Sequence, residues 1–169
     1  MPASNKLNSD NSSDEWTGTF GMREFKNVGK TFENNGRPVY LRGTLDCAVF
    51  PKTGYPPTTV EEWERIINVC KAHGLNHIRF HSWCPPKAAF DAADKLGFFY
   101  QVEASAWATN LGDSTALDQW IYDESERMVE VYGNHPSFCL MPYGNEPHGK
   151  NHKAYLIDFV KYWKAKGDT

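Results

Sequence analysis

A carboxylate and an amide, Glu146 and Asn145, stand side by side where the run Ser137-Phe138-Cys139-Leu140-Met141-Pro142-Tyr143-Gly144 ends. A carboxyl group at the end of a buried strand, enclosed by rings, can hold its proton for general acid work, and the amide beside it can hydrogen-bond a substrate hydroxyl. Spacing alone leaves a structural alternative open: a carboxylate in the first turn of a following helix is favoured by the positive end of that helix. Groups of related chemistry recur upstream. Arg79 and His81 would share one face of a strand while Ile78 and Phe80 share the other. Glu103 precedes Ser105 and Trp107, and Asp46 follows Arg42 and Thr44. Three carboxylates, an arginine, a histidine and an indole suit acid–base chemistry on a polar ligand that stacks on rings.

The elements that must position these groups follow from the hydrophobic pattern. Thr59-Val60-Glu61-Glu62 is a capping box, and Trp63, Ile66, Ile67 and Cys70 follow at helical spacing until Gly74. Pro85-Pro86 opens a second helix carrying Ala89, Phe90, Ala93 and Leu96, closed by Gly97. A third holds Leu117, Trp120, Ile121, Glu124, Met128 and Val131 and ends near Gly133; a fourth holds Tyr155, Leu156, Phe159, Val160 and Trp163. Strands are predicted at 39–43, 75–81, 98–103 and 137–143, the last packed on both faces. Asn34-Asn35-Gly36 marks a β-hairpin leading into the first of them. The chain then divides into a polar, disordered leader or linker at 1–17, a β-hairpin at 18–38 and an α/β region at 39–169.

Strands alternating with helices argue for βαβ units and a parallel sheet, either an open doubly wound sheet or part of a (β/α)8 barrel. A complete barrel needs about 250 residues, so four units are half of one. Neither G-x-G-x-x-G nor G-x-x-x-x-G-K occurs, which weakens the nucleotide-binding open sheet. In both architectures functional groups gather at the carboxyl ends of the strands. Those ends carry Arg42, Thr44 and Asp46; Arg79 and His81; Glu103, Ser105 and Trp107; and Asn145, Glu146 and His148.

The 169 residues fit one domain. With 18 basic and 21 acidic residues and no block of like charge, nothing points to nucleic acid or an anionic membrane as partner. No run approaches the roughly 18 apolar residues of a spanning helix, and the polar opening is not a secretion signal as it stands. Aromatics reach 14%, which suits a packed α/β enzyme or a carbohydrate-binding surface. The four cysteines form no C-x-x-C pair and are predicted reduced, buried and inert. His73, His77 and His81 recur every four residues, but Gly74 breaks any helix that would align them on a metal.

Six pieces occur in one order: 32–43 (FENNGRPVYLRG), Gly74-Leu75-Asn76-His77-Ile78-Arg79, Pro85-Pro86 with Asp94-Lys95-Leu96-Gly97, Val102-Glu103, Asn134-His135-Pro136-Ser137, and Gly144-Asn145-Glu146. The series resembles the catalytic domain of family 2 glycoside hydrolases, the retaining β-galactosidase, β-glucuronidase and β-mannosidase group. The resemblance covers about residues 20–165 and implies the N-terminal half of a (β/α)8 barrel, preceded by the closing hairpin of a β-sandwich domain. It implies hydrolysis of a β-glycosidic bond with retention, on a carbohydrate substrate, with no cofactor. Glu146 matches the general acid/base, Asn145 the residue that binds the sugar 2-hydroxyl, and Arg79 the arginine supporting the carboxylate pair. Glu103 and Trp107 match positions that shape the sugar subsite, and His81 and Asp46 complete the expected binding set.

The sequence departs from that family in three places. His81 comes two after Arg79 rather than three, Met141-Pro142-Tyr143 stands where a Trp is common, and Thr44 or Asp46 replaces a frequent histidine or asparagine. In such retaining enzymes the nucleophile is a second carboxylate on the seventh strand, about 5 to 5.5 Å from the acid/base; this sequence carries four predicted strands. A missing C-terminal half-barrel, or self-association through open sheet edges, is the partner so implied. Two other readings use the same residues: a non-catalytic carbohydrate-binding remnant holding sugar with Trp83, Trp107, Arg79 and Glu103, and a metal-dependent barrel hydrolase using His81 and nearby carboxylates.

Overall fold

The computed structural model describes residues 2–9, 12–113 and 115–167. Its centre is a four-stranded parallel sheet in which chain order and spatial order coincide: β6 (Gly43–Asp46), β7 (His77–Phe80), β8 (Phe99–Val102) and β9 (Phe138–Leu140). Strand order never reverses, as it would at the switch point of a doubly wound sheet. Right-handed crossovers therefore put every helix on one side. The fold is the first half of a (β/α)8 barrel, with α1 (Val60–Ala72), α2 (Lys87–Leu96), α3 (Thr115–Tyr132) and α4 (His152–Ala165) outside.

Side-chain alternation sorts the two faces. Ile78 and Phe80 on β7 and Tyr100 and Val102 on β8 are buried toward the helices. Phe80 meets Trp63, Trp83 and Tyr100 edge to face, and Phe90 stacks on Tyr132. Each such ring contributes roughly 1.5–3 kcal/mol through burial. The opposite row, Leu45, Arg79, Gln101 and Leu140, lines the concave side and keeps contact with solvent. β9 is thus buried on its helix side only, unlike the doubly packed strand expected. A bulge at Cys139 brings Leu140 opposite Gln101.

Polar side chains close the amino ends of the strands. Asn76 accepts the Arg42 N–H at 2.7 Å and donates to the Tyr40 carbonyl at 3.0 Å, clamping the segment before β6 to β7. Arg42 turns back to the Gly74 carbonyl at this end, away from the rim. Asp94 accepts from the Ser137 N–H at 2.9 Å and meets His135 Nδ1 at 2.6 Å, which holds the loop entering β9.

The segment before the barrel differs from the expected hairpin. It is a three-stranded antiparallel meander of β3 (Phe25–Val28), β4 (Thr31–Asn34) and β5 (Arg37–Val39). Asn34 pairs with Arg37, so the loop is Asn35-Gly36, with φ of 52° and 73° as a type I′ turn requires. Val39 ends the meander, and the first barrel strand begins at Gly43 instead of Val39. Pro38 keeps the third strand short. Phe25 reaches Phe99 at 5.8 Å, which fixes the meander under the barrel. The opening that reads as disordered forms an antiparallel ribbon of β1 (Pro2–Ser9) and β2 (Ser12–Thr19), its backbone groups paired from Pro2↔Thr19 to Ser9↔Ser12. Backbone pairing needs no apolar side chains, which is why composition misses it.

All four cysteines are free, but Cys47 is exposed, contrary to expectation, because it lies on the loop just past β6. Among the described residues no helix is long and apolar enough to cross a membrane.

Two outcomes follow from this framework. His77 is 7% exposed, and burial pushes its imidazole down to about 4 from 6.5. The unfolded chain takes up that proton as pH falls through 6.5 while the folded chain does not. Stability is therefore full above pH 6.5 and falls by about 3 kcal/mol on the way to pH 4. Urea midpoints across that window measure the slope, and His77→Leu should flatten it. Asp94→Ala leaves two partly buried donors unmet and should cost about 1–3 kcal/mol in the same assay, with Asp94→Asn recovering part of the loss.

Candidate active site

The carboxyl ends of β7, β8 and β9 converge on one hydrogen-bonded group. Glu103, the residue after β8, is 0% exposed. Arg79 Nε donates to its Oε1 at 2.6 Å, and the Ser82 backbone N–H donates to its Oε2 at 2.6 Å. The other arm of Arg79, Nη2, donates to Asn145 Oδ1 at 2.7 Å. One buried carboxylate thus orients an arginine, and the arginine orients the amide beside Glu146. Tyr143 supports the turn by donating its hydroxyl to the Asn145 carbonyl at 2.7 Å. Burial, followed by the charges of Glu103 and Glu146, pushes Tyr143 up to about 12, so it remains a donor.

Glu146 stands at the outer edge of this group and is exposed. Trp107 Nε1–H donates to its Oε2 at 3.1 Å. The Trp107 ring is 63% exposed and meets the His81 ring edge to face at 5.0 Å. The sequence leads one to expect a carboxyl enclosed by rings; here the Trp107 indole touches it and the residue stays exposed. Its alternative role in the first turn of a helix is excluded, because α4 starts at His152.

Backbone conformation concentrates strain at the same rim. Each barrel strand is followed by a non-glycine residue in the left-handed region: Ala48 (φ 56°), Ser82 (φ 60°), Ser105 (φ 51°) and Glu146 (φ 41°). Such conformations cost on the order of 1–3 kcal/mol each and persist only where neighbours enforce them. The turn at Ser82 coincides with the N–H that binds Glu103. Gly144 answers a different demand. A Cβ there would lie 2.1 Å from the Ala106 carbonyl oxygen, and that same carbonyl accepts the Asn145 N–H at 2.8 Å.

Of the predicted set, Arg79, Glu103, Asn145, Glu146, Trp107 and His81 come together. Asp46 does not join them. It pairs with Phe80 in the helix-facing row, its carboxylate accepts the Ala48 N–H at 2.8 Å, and burial raises its pKa. Trp83 is also on the wrong side for a ligand. Its ring packs on Phe50 and Phe80 and its N–H donates to the Asp46 carbonyl. Among the described residues no group of three or more His, Cys, Asp or Glu is gathered as a metal would require, and His77 is buried at the base while His81 is at the rim. Ser82 and Tyr143 escaped the sequence reading. A Ser in a left-handed turn has no sequence signal, whereas Tyr143 beside Gly144-Asn145-Glu146 offered one.

Gly144→Ala tests this geometry. The added methyl must push the loop off Ala106, with a cost of about 1–3 kcal/mol, and Asn145 should lose its register with Arg79. A crystal structure of the variant should show the 2.7 Å contact broken.

Comparison with known proteins relates the chain to glycosidases. No protein-family model matches the chain. A β-galactosidase of Arthrobacter sp. (strain B7) is 30% identical over 135 residues, 75% of this chain and 13% of that protein. A β-galactosidase of Thermoanaerobacterium thermosulfurigenes is 33% identical over 136 residues, 77% of this chain and 18% of its own length. The chain therefore spans less than a fifth of these relatives. Among solved structures, a β-glucuronidase from Ruminococcus gnavus in complex with uronic deoxynojirimycin aligns with a TM-score of 0.81 at 22% identity, over 95% of this chain and 28% of that one. A glycosyl hydrolase family 2 member from Bacteroides cellulosilyticus DSM 14838 aligns with a TM-score of 0.74 at 23% identity, over 97% of this chain and 22% of that one. By sequence and by fold, the chain is a relative of the family 2 glycoside hydrolases and aligns with a part of each of these proteins.

Proposed function

We propose that this chain carries the acid/base half of a retaining β-glycosidase site. The observation that carries the reading is the chain of contacts from Glu103 through Arg79 to Asn145, with Glu146 next in sequence and open to a ligand. In the proposed reaction Glu146 protonates the leaving glycosidic oxygen, then removes a proton from the water that releases the sugar. Asn145, aimed by Arg79, binds the sugar 2-hydroxyl, a contact that strengthens in the transition state. Trp107 and His81 form the wall on which the sugar face rests.

The reaction needs a second carboxylate about 5 to 5.5 Å from Glu146. Glu103 is a poor candidate, since Arg79 and Ser82 occupy both of its oxygens, and Asp46 faces the helices. The nucleophile of the proposed reaction therefore belongs to residues other than these, in a companion half-barrel. Glu103 becomes a positioning residue instead of a sugar ligand. A carbohydrate-binding role without cleavage draws support from one specific feature, the exposed ring of Trp107 over a rim already rich in donors.

The experiment is a leaving-group series on the full-length protein that contains this segment, with β-galactosides and β-glucuronides compared. Glu146→Gln should lower kcat/KM on substrates with poor leaving groups by roughly 10²- to 10⁴-fold. Nitrophenyl glycosides should suffer far less in the glycosylation step, because their leaving group needs no proton. Unchanged turnover of the poor-leaving-group substrates would show that Glu146 is not the acid. Sugar binding without turnover in the wild type would favour the binding role.

A further inference from the structure

Two rim segments run side by side past the ends of their strands. Residues 103–113 follow β8, residues 141–151 follow β9, and neither segment contains a strand. Backbone hydrogen bonds nevertheless link them along their length. The Ala104 N–H donates to the Pro142 carbonyl at 3.3 Å, the Asn145 N–H to Ala106 at 2.8 Å, the His148 N–H to Ala108 at 3.4 Å, and the Leu111 N–H to His148 at 2.8 Å. Trp107 and Glu146 both lie between the second and third of these links, which is where the indole N–H meets Oε2. The close approach continues further out. A Cβ on Gly149 would stand 2.6 Å from the Leu111 carbonyl oxygen, and one on Gly112 would stand 2.9 Å from that of Asn151.

Asp113 closes the far end of this ribbon. Its Oδ2 accepts the Lys150 N–H at 2.8 Å, and its Oδ1 accepts from Asn151 Nδ2 at 2.9 Å. The sheet holds the near end. Paired loops held at one end alone open from the other, and bonds to a carboxylate are among the stronger ones that oppose it. We propose that Asp113 is a positioning residue for the acid/base group: by closing the ribbon it keeps the Trp107 N–H on Oε2 of Glu146, so that Oε1 carries the catalytic proton. An N–H donor needs a lone pair, and the hydroxyl oxygen of a carboxylic acid is the poorer acceptor of the two. The proton therefore belongs on the oxygen that Trp107 does not touch. This inference rests on the reading of Glu146 as the acid/base residue and adds to it a group that never meets the substrate.

The leaving-group dependence of kcat/KM, measured on the full-length protein that contains this segment, tests it. A misplaced acid harms substrates that need a proton, whereas a general loss of folded protein scales every substrate alike. Asp113→Ala should lower kcat/KM roughly 10- to 100-fold on alkyl β-glycosides and leave nitrophenyl β-glycosides within about twofold. Asp113→Asn keeps one acceptor oxygen and should fall between. Asn151→Ala removes one of the two bonds from the opposite side, so it should steepen the dependence less and add little when combined with Asp113→Ala. An equal loss on both substrate classes, or a loss on neither, overturns the proposal. Glu146→Gln run in parallel separates the two readings. If it steepens the dependence while Asp113→Ala does not, the positioning role alone fails; if Glu146→Gln itself leaves the dependence flat, the acid/base reading fails and this inference with it.

Discussion

The rim depends on one interaction: the fully buried Glu103 carboxylate held by Arg79 and by the Ser82 N–H. An ionised carboxylate out of water costs several kcal/mol unless its lone pairs are met by good donors. Here each oxygen has one at 2.6 Å, and the donors come from the segment that follows β7 and from β7 itself. The pair therefore ties the ends of β7 and β8 together. Because a guanidinium carries donors in a rigid fork, the geometry that satisfies Glu103 also decides where Nη2 points, and it points at Asn145 at the end of β9. Three strand ends are thereby locked by one buried charge.

The two ends of the barrel use polar groups for different purposes. At the amino ends, Asn76 and Asp94 satisfy backbone groups and join loops to strands, a purely structural arrangement. At the carboxyl ends the backbone itself is strained, with one left-handed residue after every strand. Strain of this kind collects where side chains or N–H groups must be aimed against local preference. Ser82 illustrates it: its left-handed turn accompanies an N–H directed at Glu103, an orientation worth more than the local cost because it neutralises a buried charge.

Much of this was legible from residue order. Helix spacing, the glycine stops at Gly74 and Gly97, and the two-residue alternation in Ile78-Arg79-Phe80-His81 all correspond to physical periodicities, and all reappear in the structure. The Asn35-Gly36 turn was legible because type I′ geometry demands positive φ at both positions. Asp46 falls outside the group because the expected strand ended at 43, which left Asp46 on the loop beyond it, whereas β6 runs on to Asp46. As the last residue of that strand it pairs with Phe80, and alternation puts it in the helix-facing row with Thr44. Residues 2–19 were misjudged because backbone pairing leaves no hydrophobic trace. The partners of Glu103 were illegible for another reason: burial and a left-handed Ser are properties of the closed rim and of no single segment.

The proposed role of Glu146 as the acid/base residue of a retaining glycosidase is tested most directly by azide rescue of Glu146→Ala in the full-length protein with an activated aryl β-glycoside. With the acid/base carboxylate gone, azide meets no charge repulsion at the open β face of the glycosyl intermediate. The account predicts faster turnover with azide and a β-glycosyl azide product. An α-glycosyl azide would instead make Glu146 the nucleophile, and the absence of any rescue in an otherwise folded variant would contradict the assignment outright.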